Sequence, residues 1–156
     1  PTEAEWEYAC RAGVPAMYSF GNNRKKLDEY AWYSANAWDQ GFRCPQKTGL
    51  KKPNKWGLYD MHGNVGEWCK DWFDGRYYKK NPPLKDPKGP VKGKKKIVRG
   101  GSFVESFPYV KSTSRRGFFP QKPGSSSVGF RIILRNFCET CGNTDNREQI
   151  KNQDEE

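Results

Sequence analysis

Residues 54–72 hold the densest set of groups in this chain that could grip an ion or a ligand. Asp60, Gly63, Val65 and Glu67 fall in one short run, and their spacing suits a backbone that folds around a hard cation. Trp56, Tyr59, Trp68 and Trp72 share the stretch with Gly57, Gly63 and Gly66. It is too irregular for a simple helix and too rich in glycine for a plain strand. A second signature follows downstream, Arg99-Gly100-Gly101-Ser102-Phe103, and then Gly129-Phe130-Arg131.

Other reactive groups are sparse. The single histidine, His62, rules out a sensible Ser-His-Asp arrangement. Arg99-Gly100-Gly101-Ser102 lacks the phosphate-loop pattern, and its glycines read as a tight bend at a strand edge. The five cysteines, Cys10, Cys44, Cys69, Cys138 and Cys141, cannot all pair internally and show no disulfide framework. Cys138 and Cys141 form a lone C-x-x-C without a second ligand pair. They read as a non-catalytic pair or local disulfide, with zinc shared with another chain as the alternative.

Several elements must position these groups. Thr2 and Glu5 make a capping box for a helix over about Glu3 to Arg11, with Trp6, Ala9 and Cys10 on one face and Gly13 as its left-handed cap. Tyr18 to Asn22 reads as a short strand or turn. Tyr30, Trp32, Tyr33 and Trp38 read as aromatic pins that hold loops to the core. Ile97-Val98-Arg99 and Gly129 to Leu134 are the clearest strand signals, and the apolar run of the latter suits a central strand.

Composition bounds the rest. The chain has 156 residues, enough for one domain, with 29% charged residues and 15% aromatics. Such an aromatic content opposes disorder and predicts a core built on rings. The formal charge of +10 suggests an anionic partner. Residues 79–99 hold eight Lys and one Arg against a single Asp, set among Pro and Gly. They read first as a solvated loop and second as a polyanion-binding one. No aromatic interleaves with these lysines, so a stacking platform for single strands is not supported. Residues 136–156 carry six acidic and two basic residues and read as a mobile polar tail. Neither a membrane span nor a signal peptide is visible. The start at Pro1, without Met, reads as a fragment or processed product.

In order, Pro1-Thr2-Glu3-Ala4-Glu5-Trp6-Glu7-Tyr8-Ala9, Trp56 to Val65 with Glu67-Trp68, Arg99 to Phe103 and Gly129-Phe130-Arg131 resemble the C-terminal part of the sulfatase-modifying-factor domain, the family of the formylglycine-generating enzyme. The resemblance covers residues 1 to about 135 and implies that the first part of the domain is missing. It implies an α+β fold, a variant of the C-type lectin fold, loop-rich with a small antiparallel sheet. It also implies a structural calcium held by the Asp60 and Glu67 carboxylates and the Gly63 and Val65 carbonyls. The family commonly has Trp where this chain has Gly66, a change expected to open space beside the ligand groove.

The family's enzyme oxidises a substrate cysteine with two copper(I)-binding cysteines that follow the Arg-Gly-Gly-Ser motif. Counting from Ser102 puts Glu105 and Val110 at those positions, and no Cys lies between Cys69 and Cys138. A related branch needs an iron held by several histidines. Neither copper nor iron is therefore expected.

The resulting expectation is a non-catalytic module with a ligand surface on the 103–128 loop. Its candidate residues are Ser102, Phe103, Glu105, Phe107, Tyr109, Arg115, Arg116, Phe118 and Phe119. Small polar residues mixed with aromatics make adaptable binding loops. The ligand would be a protein or a glycan, and relatives varied by diversity-generating retroelements use this segment. An ordinary, partly buried surface loop weighs equally. Two alternatives stand beside this reading: an oxidoreductase of the same family acting with upstream residues or a partner domain, and polyanion binding through the Lys-rich 79–96 loop. The resemblance favours an extracellular, cell-surface or periplasmic location.

Overall fold

The computed structural model describes residues 1–80, 85–121 and 124–134. It is a small α+β domain with little regular structure. Helix α1 (Glu3–Arg11) starts on the expected capping box: the Thr2 side chain accepts from the Glu5 N–H, and Glu5 accepts from the Thr2 N–H at 2.7 Å. Its end differs from the expectation. Ala12, not Gly13, is the left-handed cap residue, at φ 45°. Its N–H donates to the Tyr8 carbonyl, and Gly13 continues the turn at φ 79°. Tyr18–Gly21 is a turn closed by one bridge. Short helices α2 (Leu27–Tyr30) and α3 (Tyr77–Lys80) follow in the loops, the latter taking Lys79 and Lys80 out of the expected Lys-rich loop.

Two sheets result. Strands β1 (Ala31–Trp32) and β2 (His62–Gly63) pair in parallel. Strands β3 (Gly66–Trp72), β4 (Lys96–Arg99), β5 (Arg116–Phe118) and β6 (Val128–Gly129) form a second sheet in the order β5-β4-β3-β6. β3–β4 and β4–β5 are antiparallel and β3–β6 is parallel. The sheet is thus mixed, where a purely antiparallel one was expected.

The strand expected over Gly129 to Leu134 is a correction too. Pairing stops at Gly129, on an edge strand, and residues 130–134 form no strand. Phe130, Ile132 and Leu134 are 75%, 83% and 90% exposed. An apolar run reports affinity for a neighbour, and none lies along its outer side among the described residues.

Alternation along β3 divides the sheet into two faces. Glu67, Cys69 and Asp71 point inward toward α1, while Trp68, Lys70 and Trp72 point outward. Trp6, Cys10, Met61, Cys69 and Ile97 form one core cluster. Tyr18, Leu27, Ala31, Tyr33 and Val110 form a second, with Phe20 and Phe107 against it. The core is aromatic-rich as expected, but it also buries charge. Glu3 and Arg99 are 2% and 1% exposed. Both nitrogens of the Arg99 fork donate, to the carbonyls of Ser112 (2.6 Å) and Ser114 (2.7 Å) and to Glu7. Glu3 accepts from Arg115 at 2.6 and 2.8 Å.

Candidate functional site

The Asp60–Glu67 turn is a crossroads of backbone. The Gly63 N–H donates to Gly100 O (2.8 Å), the Asn64 N–H to Trp32 O (2.7 Å), the Gly66 N–H to Ser127 O (2.8 Å), and Asn64 O accepts from the Phe103 N–H (2.9 Å). At Gly63, φ is +78° and a Cβ would sit 2.0 Å from Trp32 O, so only glycine fits. Asp60 and Asn64 adopt left-handed φ of 56° and 61°, which short polar residues tolerate best.

The four candidate ligand residues lie in this turn. Asp60 Oδ2 accepts from the Gly49 N–H at 3.1 Å, while its Oδ1 is buried without a hydrogen-bond partner. Burial raises the Asp60 pKa, partly offset by the Gly49 bond and the nearby Arg131. Glu67 is more heavily committed. Its Oε2 accepts from Trp6 Nε1 (2.6 Å) and Arg131 Nε (2.5 Å), and Oε1 from Arg131 Nη2 (2.6 Å). Two lone pairs per oxygen leave one free on Oε1. The side-chain acceptor capacity left in the set is thus the orphaned Asp60 oxygen and that remaining lone pair, beside a guanidinium already neutralising much of Glu67. Space beside Gly66 is not open, contrary to expectation: a Cβ there would meet Val98 Cγ1 at 2.6 Å.

His62 lies beneath the turn and is 1% exposed. Val110 O, 2.8 Å from Nδ1, can only accept, and the Ser19 N–H, 3.0 Å from Nε2, can only donate. The ring is thus the neutral Nδ1–H tautomer. Burial lowers its pKa from 6.5 to about 4, and burial pushes the neighbouring Cys10 thiol up to about 12. Cys10 Sγ lies 3.9 Å from Nε2, but a neutral thiol beside a neutral imidazole is an inert packing pair.

The His62 shift has a consequence for acid stability. Its folded pKa is depressed, so its contribution is complete above pH ~6.5 and is lost as pH falls through about 4. The lost stability should be about 3 kcal/mol, at roughly 1.4 kcal/mol per unit. Asp60 and Asp71, whose pKa values burial raises, act with the opposite sign. Urea midpoints measured from pH ~7 down to about 4 should fall steadily. A flat profile over that range would contradict a buried neutral His62.

Downstream, Gly100 and Gly101 adopt φ of 86° and 70°. A Cβ on Gly101 would meet Tyr109 O at 2.7 Å, so the bend lets two loop segments touch. This bend sorts the expected ligand-surface residues. Ser102 and Phe103 are each 1% exposed and lie beneath the surface. The buried Ser102 Oγ has no partner. Phe107 packs on the second core cluster under the Arg24 guanidinium, 3.4 Å from its ring centroid. Arg115 turns away to Glu3, Phe73 and Tyr78.

Glu105, Tyr109 and Arg116 do come together. With Ser34, Val104 and Ser106 they line a cavity of about 580 Å³. Glu105 Oε1 pairs with Arg116, its Oε2 is buried without a partner, and Tyr109 is 53% exposed. Phe118 and Phe119 line a separate groove with Trp68. Ser34 was not foreseen. It reaches the cavity because its N–H donates to Glu105 O (2.9 Å), and no local pattern announces that contact.

Of the two positions reached by counting from Ser102, Glu105 faces the cavity and Val110 is fully buried in the second core cluster. Cys10 and Cys69 are buried free thiols, and Cys44 is exposed. Cys138 and Cys141 lie outside the described residues, as does the expected tail. Among the described residues, no group of three or more His, Cys, Asp or Glu side chains could hold a metal ion. No helix among them is long and apolar enough to cross a membrane.

A loop-rich α+β scaffold, pinned by this turn and by the Arg-Gly-Gly-Ser bend, defines a class. A model of the sulfatase-modifying factor enzyme 1-like domain matches residues 1–136, and the chain belongs to that family. It is 35% identical over 141 residues to a formylglycine-generating enzyme of Streptomyces coelicolor, covering 84% of this chain and 45% of that protein. It resembles the structure of Treponema denticola variable protein 1 with a TM-score of 0.73 and 37% identity, over 83% of this chain and 45% of the other. The likeness to PvdO from Pseudomonas aeruginosa has a TM-score of 0.69 and 29% identity, over 83% and 49%. The chain thus spans less than half the length of these relatives.

Proposed function

We propose that the chain is a non-catalytic member of its family that binds a protein or glycan ligand on the 103–128 loop surface. One observation carries this reading. The Arg99–Ser102 bend is present, and the residues that a count from Ser102 puts where the family's thiols would stand are Glu105, on a cavity wall, and Val110, in the core. Tyr109 and Arg116 give that cavity an exposed ring and a cation beside the Glu105 carboxylate. The resemblance to a protein named as variable supports a variable ligand-binding role on a C-type-lectin-like scaffold. Conversion of a cysteine-containing sulfatase peptide to the aldehyde would overturn the non-catalytic reading.

Calcium is proposed as a structural ion at Asp60, Gly63, Val65 and Glu67, supported by the unpartnered Asp60 Oδ1. Bound, it would offset the carboxylate charge and fix the turn. Chelation should then lower the melting temperature by about 5 °C. Asp60→Asn, which tolerates the left-handed φ, should abolish the shift. An unchanged melting curve on chelation would argue against the ion.

A further inference from the structure

The outer face of the sheet carries an aromatic corner. Trp68 and Phe118 meet edge to face, with centroids 6.2 Å apart and planes at 83°. β5 and β6 lie on opposite edges of this sheet. Gly117, Phe119, Gly124, Ser125 and Val128 complete a groove of about 270 Å³ around the corner. A Cβ on Gly124 would meet nothing within 4 Å, so the groove is open there.

Its rim is cationic. Lys95 runs past Gly117 and ends with Nζ 4.9 Å from the Phe119 ring centroid, and the Arg116 guanidinium lies 4.8 Å from that of Phe118. The fold therefore interleaves aromatics with the Lys-rich run, which the linear sequence does not. The Ser125 and Ser127 hydroxyls, 2.8 Å apart and exposed, add donors and acceptors at one end.

We propose that this groove binds a single acidic sugar ring, a sulfated or uronic-acid pyranose. A puckered ring presents C–H groups to both planes of a perpendicular aromatic corner, whereas a flat base is best held by stacking on parallel faces. The volume suits one ring rather than an extended ligand. Lys95 supplies the charge for a sulfate or carboxylate, and the serines answer the sugar hydroxyls. The proposal extends the ligand-surface reading to a second cavity, separate from the one at Glu105.

The test is calorimetric titration of the chain with a defined sulfated heparin disaccharide, its unsulfated counterpart and a short oligothymidylate. The sulfated sugar should bind saturably, with about tenfold loss for Phe119→Ala, for Lys95→Gln and for the unsulfated sugar, each about 1.4 kcal/mol. Phe119 is 41% exposed, so its truncation should leave the fold intact. Tyr109→Ala should leave sugar binding unchanged, which separates this site from the other cavity. No saturable binding would overturn the proposal. So would equal affinity for the oligothymidylate, or binding that survives Phe119→Ala and is lost only on neutralising Lys94–Lys96, because these mark a plain polyanion surface.

Discussion

Glu3→Ala should destabilise the chain by about 3–5 kcal/mol, the usual cost of stranding one member of a buried charge pair. The Glu3 and Arg99 side chains are 3% and 0% exposed. Glu3 meets three partners at once. Its N–H donates to Asp71 Oδ2 at 2.8 Å, its carboxylate accepts twice from Arg115, and Arg99 Nη1 lies 3.4 Å from Oε1. Removing it leaves Arg99 with Glu7 and two carbonyls, and leaves Arg115 with the Asp74 carbonyl and its ring contacts. The melting temperature should drop by roughly 10 °C or more. The exposed Lys52–Glu29 pair is the control: its side chains are 62% and 43% exposed, and Lys52→Ala should change nothing measurable. A Glu3→Ala variant as stable as Lys52→Ala would show that the buried network does not hold α1 to the sheet.

That network also marks where sequence reading stops. The capping box on Thr2 and Glu5 was legible because its chemistry is local, three residues apart. So was β4, whose apolar residues sit between turn signals. Pairing across the fold was not. Glu67 and Arg131 are 64 residues apart, and Arg115 and Glu3 112 apart, so no window contains both partners. The same holds for Lys95 over Phe119 and for Ser34 beside Glu105. Residues 130–134 misled for a related reason. Their apolar run resembles a central strand, but which strand stands beside it is not written in the run itself.

The layout of the expected loop surface was legible in part. The expected loop surface included Glu105, Tyr109 and Arg116, which do meet at one cavity. Composition alone could not separate them from Ser102 and Phe103, which the Gly100–Gly101 bend carries beneath the surface. Trp68 belonged to a recognised motif, yet its place on the outer face depends on the strand alternation of β3.

On the proposed non-catalytic reading, the largest functional effect expected is that this chain does not convert the peptide cysteine. Copper(I) needs soft thiolate donors, and neither the Glu105 carboxylate nor the Val110 side chain is one. The buried thiols cannot stand in for them: burial raises Cys10 and Cys69 to about 12, far from the thiolate form. The most direct test is mass spectrometry of a cysteine-containing sulfatase peptide incubated with the chain, copper(I) and oxygen, with an active formylglycine-generating enzyme alongside. The account predicts that the active enzyme converts the peptide to its aldehyde while this chain leaves it unchanged. Multiple turnovers to the aldehyde by this chain would contradict it.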